Sequence, residues 1–317
     1  MKVAIVTGAS SGIGEATSRR LRAMGYTVYA AARRVERMTA LTEAGIHTIR
    51  VDITDDASLV AFVQHVIAES GRIDVLVNNA GYGSYGAVED VPLDEARRQF
   101  EVNVFGLARL SQLVLPHMRA QRSGRIINIS SMGGKIYEPL GGWYHATKFA
   151  VEGLSDSMRM ELRPLGIDVV VVEPGAIATE WSGIAGEHLL ETSGRGAYAE
   201  QARRMAAFFT ADPDGMASPP SVVADAIAKA VVARRPRTRY VVGRGARSIL
   251  AARRILSDRA FDRFMGTIIK TLSRVAADRQ PRRSRHQKLD PHQDGQDVRA
   301  AEHLTQKIER NQPEGRI

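Results

Sequence analysis

The run Met1-Lys-Val3-Ala-Ile-Val6-Thr7-Gly8-Ala-Ser10-Ser11-Gly12-Ile13-Gly14 carries a short β-branched apolar stretch straight into a glycine-rich turn, and a helical pattern follows over residues 12 to 24. An apolar run of this length bounded by a turn predicts a strand buried on both faces, as parallel sheets require. Gly8, Gly12 and Gly14 then fall where a tight turn, a close backbone approach to phosphate and close helix packing are needed. A pyrophosphate placed there would meet free N–H groups and the positive end of the helix dipole. The spacing Gly-x-x-x-Gly-x-Gly departs from the general dinucleotide pattern Gly-x-Gly-x-x-Gly.

Outward from this unit the pattern repeats. Apolar runs at residues 26 to 32, 73 to 77, 126 to 129, 167 to 172 and 240 to 242, with a weaker one at 46 to 51, read as strands. Helical patterns lie between them near 55 to 70, 94 to 121, 143 to 163 and 221 to 234. The alternation predicts an α/β fold, a doubly wound parallel sheet of about seven strands with helices on both faces. No apolar stretch approaches the ~20 residues of a membrane span, and the first apolar run is too short for a signal peptide. The absence of cysteine excludes disulfides, thiol catalysis and thiolate metal sites. No metal site is expected.

Tyr144 and Lys148 are spaced one helical turn apart in Tyr-His-Ala-Thr-Lys, and Ser131 precedes Tyr144 by thirteen residues. Residues at this spacing share a helix face, so the ammonium is expected to sit beside the phenol and favour its ionised form. A free tyrosine titrates near about 10, and a fixed positive charge is one way to lower that value. Ser131 follows the strand at 126 to 129, at the carboxyl edge where doubly wound sheets bind ligands, and its hydroxyl can stabilise developing negative charge on a substrate oxygen. Ser130 is its rival. Asn103 falls inside the helical pattern at 94 to 121, where an amide competes for backbone hydrogen bonds, so a surface asparagine and a functional one remain alternatives.

Thr7-Gly8-x-x-x-Gly12-x-Gly14, Asn78-Asn79-Ala80-Gly81, Asn103, Ser131, Tyr144-x-x-x-Lys148 and Pro174-Gly175-x-x-x-Thr179 stand in the order and spacing of the short-chain dehydrogenases/reductases. The resemblance covers roughly residues 1 to 245, and the stretch from Gly134 to Lys148 resembles the steroid- and retinol-type branch. It implies a nicotinamide-dependent alcohol/ketone oxidoreductase, with Tyr144 as the acid/base, Lys148 on the nicotinamide ribose, Ser131 on the substrate oxygen and Asn103 in a proton relay. By the same resemblance Gly8, Ser10, Ser11, Gly12, Ile13 and Gly14 hold the pyrophosphate side of the cofactor. Asp52 and Ile53 match the adenine contacts, Asn79, Ala80 and Gly81 support the adenosine ribose, and Pro174, Gly175, Ile177 and Thr179 face the nicotinamide. The second strand ends in Ala32-Arg33-Arg34, where an NAD enzyme usually carries a carboxylate for the ribose hydroxyl. Two arginines in its place favour NADP(H) over NAD(H). Ser11 departs from many NADP-using relatives, which carry a second basic residue there.

The substrate is expected to be a lipophilic ketone, aldehyde or alcohol. Trp181 and other apolar residues between 181 and 219 occupy the place of the family's substrate lid, with Tyr82, Tyr137 and Trp143 bordering the same cleft. Residues 233 to 285 hold 16 Lys or Arg against 3 Asp or Glu, while the chain as a whole stands at +9. Apolar residues recur at helical spacing among these arginines, so 246 to 278 reads as a basic amphipathic extension that either lies on a membrane surface or packs on the protein body. No nucleic-acid module accompanies the charge. Residues 279 to 317 lose apolar periodicity and read as a disordered tail. A cytoplasmic homodimer or homotetramer is expected, and the alternative to an enzyme is a catalytically silent dinucleotide-binding scaffold.

Overall fold

The apolar runs become strands β1 (Val3–Thr7), β2 (Thr27–Ala32), β3 (His47–Arg50), β4 (Val75–Asn78), β5 (Gly124–Ile129), β6 (Ile167–Pro174) and β7 (Arg239–Val242). They form one 7-stranded sheet in the order β3-β2-β1-β4-β5-β6-β7. Every neighbouring pair is parallel, with Ile5 opposite Tyr29 on one side and Leu76 on the other. This computed structural model describes residues 1–210 and 217–279, and Met1–Ala277 form one unit. The tail expected from residue 279 onward falls, after Arg279, outside the described residues.

Strand alternation sends side chains to two separate cores. Ala4, Val6, Val28, Ala30, Val77, Ile127 and Val170 face one side, covered by Leu21 of α1 (Gly12–Ala23), Leu41 of α2 (Thr39–Glu43), and Val223 and Ile227. Ile5, Tyr29, Leu76, Ile126 and Val169 face the other. There they meet Leu59 and Phe62 of α3 (Asp56–Ser70), Leu110 and Val114, and Met158 and Leu162. Each buried Val, Leu, Ile, Phe or Met among them contributes about 1.5–3 kcal/mol, which sets the register against a one-residue slip. Beneath the carboxyl edge, Asn78 Nδ2 donates to Ser111 Oγ (3.1 Å) and Asn128 Oδ1 (2.9 Å), and Asn128 Nδ2 donates to Ser155 Oγ (2.9 Å).

The helical pattern expected at 94 to 121 is helical throughout, but not uniformly α. It divides into α4 (Leu93–Phe100), a π-helical turn (Glu101–Phe105) and α5 (Gly106–Gln121). At Gly106 a Cβ would stand 2.5 Å from the Ile53 carbonyl oxygen, so α5 approaches the loop after β3 more closely than any side chain allows. The wide turn inserts one residue without breaking the helix axis, and such turns recur at functional sites. Asn103 lies in it.

The remaining helices are α6 (Gly142–Leu162), α7 (Trp181–Ser193), α8 (Ala199–Thr210), α9 (Pro220–Val232), α10 (Ala246–Ile255) and α11 (Asp258–Arg279). The apolar stripe of α10 and α11 packs on the protein: Phe261 and Met265 are buried against Ile136, with Met132 and Tyr137 alongside. Arg253 lies over the Tyr137 ring (5.4 Å) and the Phe261 ring (5.3 Å), a cation–π arrangement that leaves its charge at the surface. Ile269 joins a further cluster with Leu140 and Tyr144. Phe261→Ala should cost about 3–5 kcal/mol, seen as a thermal midpoint lowered by on the order of 6 °C or more. An unchanged midpoint would show that α11 is not held by this contact.

Candidate active site

At the carboxyl ends of β1 and β4 the chain forms a cradle. Gly8 has φ 66 and leaves no room for a side chain, because a Cβ would stand 2.9 Å from Ala80 Cα. A Cβ on Gly14 would lie 2.3 Å from the Gly8 carbonyl oxygen. Helix α1 therefore starts directly on the loop. Its N-cap Ser11 is extended and makes no side-chain cap, whereas Asp55 caps α3 by accepting from the Ala57 N–H (3.0 Å). The uncapped first turn with its dipole suits an anion, so the residues present fit a dinucleotide pyrophosphate. Ser10 and Ile13 lie on the same loop and turn, and Thr179 packs against Gly12, with its Cγ2 3.0 Å from where a Cβ would be.

Arg33 and Arg34 are exposed past the end of β2, and among the described residues neither has an ion-pair partner within 4.0 Å. Asp52 accepts from Thr54 and Ile53 is buried beside α5. Asn79 and Ala80 are tied back to Thr7, and Gly81 is crowded by Asn103 Oδ1, 3.0 Å from a Cβ at that position, and by Lys148 Nζ at 3.9 Å. Pro174 ends β6, Gly175 abuts Arg244, and Ile177 pairs with Ser218.

The candidate catalytic groups converge beside this cradle. Asn103 Oδ1 accepts from the Tyr82 N–H (3.0 Å), and its amide donates to the Tyr82 carbonyl (2.9 Å) and Thr147 Oγ1 (3.1 Å). Its amide thus ties the loop at Gly81 to the second turn of α6 and is not at the surface. Lys148 Nζ donates to the Ile129 carbonyl (3.0 Å) and stands 5.9 Å from the Tyr144 ring centre. Burial lowers its pKa to about 8, opposed by the Glu152 charge. Ser131 Oγ accepts from the Gly133 N–H (3.0 Å) and helps the Tyr144 phenolate. Ser130 Oγ points the other way, toward Gly134, and is buried.

The Tyr144 phenol itself departs from expectation. Its pKa is pushed up to about 12, first by burial, against the lowering hydrogen bond from Ser131. The Lys148 ammonium sits toward the ring rather than on the hydroxyl, so desolvation dominates. The source of that burial is an aromatic cover: Tyr144 lies 5.5 Å from Tyr85 and 5.3 Å from Trp181, and Phe209 stacks edge-on against Tyr85 at 4.7 Å. Trp181 thus lies over Tyr144. The other three aromatic residues turn elsewhere. Tyr82 donates to Glu95 (2.9 Å) and packs on the sheet core, Tyr137 packs under Phe261, and Trp143 lines a groove with Leu93, Phe100 and Phe105. Sequence reasoning missed Tyr85 and Glu138, which lie on loops without periodicity and meet only in three dimensions.

The sequence pattern of the short chain dehydrogenase family matches residues 2–188. The chain belongs to that family. It is thereby an oxidoreductase. Among curated relatives, it is 34% identical over 285 residues to an NADPH-dependent 3-dehydrocapnine reductase of Ornithobacterium rhinotracheale, covering 86% of this chain and 99% of the relative. It is 40% identical over 178 residues to a 3-ketodihydrosphingosine reductase of Bacteroides thetaiotaomicron, covering 56% of this chain and 65% of that reductase. A short-chain dehydrogenase from Streptomyces avermitilis superposes with a TM-score of 0.70 at 35% identity, over 86% of this chain and 98% of that one.

In this dehydrogenase a second charged cluster lies one turn beyond Lys148. Glu152 accepts from Arg239 (2.9 Å) and Lys135 (3.1 Å), and Arg239 also reaches Asp156 (2.7 Å) and Glu173 (3.3 Å). Burial, with the Glu152 charge behind it, pushes Glu173 up to about 7. Its folded value lies above the ordinary 4.5, so the native state holds a proton that the unfolded chain releases in between. Stability from this group is present below that window and is lost as pH rises through it. Glu173→Gln removes the titration, so wild-type stability relative to the variant should decline between about pH 4.5 and 7 in denaturant melts. A constant difference would mean that Glu173 is already ionised throughout.

Proposed function

We propose that this protein is an NADP(H)-dependent oxidoreductase acting on a lipophilic ketone or the corresponding alcohol. The observation that carries the reading is Tyr144 set between Ser131 and Lys148 and roofed by Tyr85, Trp181 and Phe209. When bound, the nicotinamide supplies or takes the hydride. Tyr144 holds its proton at neutral pH and gives it to the carbonyl oxygen, which suits the reducing direction. Ser131 holds that oxygen through its hydroxyl. Lys148, with a value of about 8, carries its charge at neutral pH and faces both Tyr144 and the Gly81 loop. Asn103 fixes the distance between that loop and α6. All four groups are present and converge, which disfavours a silent scaffold.

Several supports bear on substrate and setting. The two reductases above are named for a 3-keto and a 3-dehydro compound and one is named as NADPH-dependent, and the apolar roof suits a lipophilic body more than a sugar. These names favour a ketone substrate, and neither names a steroid or a retinol. The division into a catalytic region at 1–245 and a basic extension at 246–278 is retained as part of this proposal. Because that extension buries its apolar stripe on the protein, a cytoplasmic enzyme is favoured over one held at a membrane surface. No helix among the described residues is long and apolar enough to cross a membrane. The groove at Leu93, Phe100, Phe105 and Trp143, with Phe105 and Phe149 exposed on adjoining helices, fits a second copy of this chain.

Tyr144→Phe keeps the ring and removes the proton, so NADPH-driven ketone reduction should fall by ~10² or more while cofactor affinity holds. Near-normal turnover in that variant would remove Tyr144 from the chemistry. For the cofactor, a charged hydrogen bond is worth about 1.5–3 kcal/mol, at least about tenfold in affinity. Calorimetry should therefore find NADP(H) bound about tenfold or more tighter than NAD(H), with the order inverted in the double variant Ala32→Asp, Arg33→Ala. Equal affinities in the wild type would refute the assignment of Arg33 and Arg34.

A further inference from the structure

The loop between Ser131 and Tyr144 carries an ionisable group that the mechanism above does not use. Glu138 is 8% exposed at its side chain, and its Oε1 accepts from the Tyr85 hydroxyl at 2.9 Å. Tyr85 is itself buried, and its ring lies 5.5 Å from that of Tyr144. Glu138 is also close enough for its charge to act on the Tyr144 phenol.

Burial pushes the Glu138 carboxyl up, and among the described residues no Lys or Arg lies within ion-pair distance of it. His145 Nε2 stands 3.9 Å from Glu138 Oε1, but the ring's hydrogen bonds decide its state. Nδ1 lies 2.9 Å from the Gly133 carbonyl, which only accepts, so Nδ1 carries the hydrogen. Nε2 is taken up by Glu138's own backbone N–H (3.2 Å), so the ring directs no hydrogen bond at the carboxylate. Lys135 pairs with Glu152 and Lys148 is held by the Ile129 carbonyl. Among the described residues Glu138 thus receives no hydrogen bond from a cationic side chain, and a carboxylate left that way is costly to bury.

The loop is built to keep it there. Leu140 has φ 65, a left-handed conformation that a branched side chain adopts only when its surroundings impose it. Its carbonyl accepts from the Gly86 N–H (2.8 Å), and Gly141 leaves space for the Tyr85 ring, which a Cβ would meet at 2.6 Å. Strain of this kind collects at ligand sites.

We propose that Glu138, oriented by Tyr85, is the subsite for a protonated amine on the substrate, so that the preferred ketone bears an ammonium group near its carbonyl and a lipophilic body under the aromatic roof. This rests on the oxidoreductase reading above and narrows its substrate class. An ammonium would pair with the carboxylate through charge-assisted hydrogen bonds. A ketone lacking the amine would leave the carboxylate buried and unpaired, which is the arrangement that rejects analogues most strongly.

The test compares a long-chain 2-amino ketone with its desamino counterpart by NADPH oxidation, and calorimetric binding of dodecylamine with that of dodecanol to the protein holding NADPH. Wild-type kcat/KM should favour the amino ketone by about 10- to 100-fold, mainly through KM, and Glu138→Gln should bring the ratio close to one. Dodecylamine should bind and dodecanol should not. Equal kcat/KM for the two ketones, or equal binding of the two probes, overturns the amine subsite while leaving the reductase reading intact. Selective amine binding with neither ketone reduced would instead retain the subsite and sink the reductase reading. The probe measurements use the wild type, so they decide even where Glu138→Gln fails to fold.

Discussion

Thr7 and Asn79 join the two halves of the sheet at the place where strand order reverses. Beyond Val6 and Val77 the strands β1 and β4 part, and the Thr7 hydroxyl accepts from the N–H groups of both Asn79 and Ala80 (3.0 Å each). Asn79 returns a bond from its amide to the Thr7 carbonyl (2.9 Å). The same amide nitrogen lies 2.7 Å from where a Cβ on Gly14 would be, so the start of α1 is pressed onto this stitch. The anion-binding end of that helix and the Gly81 loop that leads to Asn103 are consequently one rigid piece. A longer side chain at either glycine would push the cradle and the catalytic groups apart, at the ~1 Å scale on which rates become sensitive.

How far this could be read from sequence depends on how local the cause is. The glycine loop, the strand runs and the helical spacing of Tyr144 and Lys148 are set by neighbours within one turn or one pleat, whereas the phenol's environment is not. The π-helical turn at Asn103 left no such trace, because an inserted residue keeps the apolar stripes of α4 and α5 individually intact. The clue was Asn103 itself, an amide in a helical stretch, whose partners Tyr82 and Thr147 lie 21 and 44 residues away. Tyr82, Tyr137 and Trp143 show the opposite limit. They sit next to motif residues in the chain, yet sheet core, α11 and the groove on α4 claim their rings, since a loop side chain goes where apolar area is to be buried.

The basic extension acquires its meaning from the same rule. Its arginines suggest a surface that seeks anions, but Phe261 and Met265 reach Ile136, and the neighbouring Met132 and Tyr137 belong to the segment between Ser131 and Tyr144. That segment also carries Glu138. Helix α11 thus braces, from behind, the loop whose opposite side faces the candidate site, and Arg253 closes the contact over two rings. Charge in this region keeps the outer face wet while the inner face supports the segment between Ser131 and Tyr144.

Two kinds of contact hold the cover over Tyr144, and their magnitudes decide which governs it. Arg37 binds Glu180 just ahead of α7 with both oxygens engaged, but the side chains are 37% and 49% exposed, so solvent and salt screen the pair and it holds little. The rings of Trp181, Tyr85, Phe209 and Tyr144 form a connected set of contacts, each adding about 0.5–1.5 kcal/mol beyond its buried area. Closure is therefore mainly apolar, and it is this closure that raises the Tyr144 phenol to about 12. Opening the cover would return water to the phenol and remove the desolvation that raises its value. In the function proposed above, the closed arrangement would keep the proton on Tyr144 until a carbonyl oxygen, desolvated under the same rings, is there to receive it.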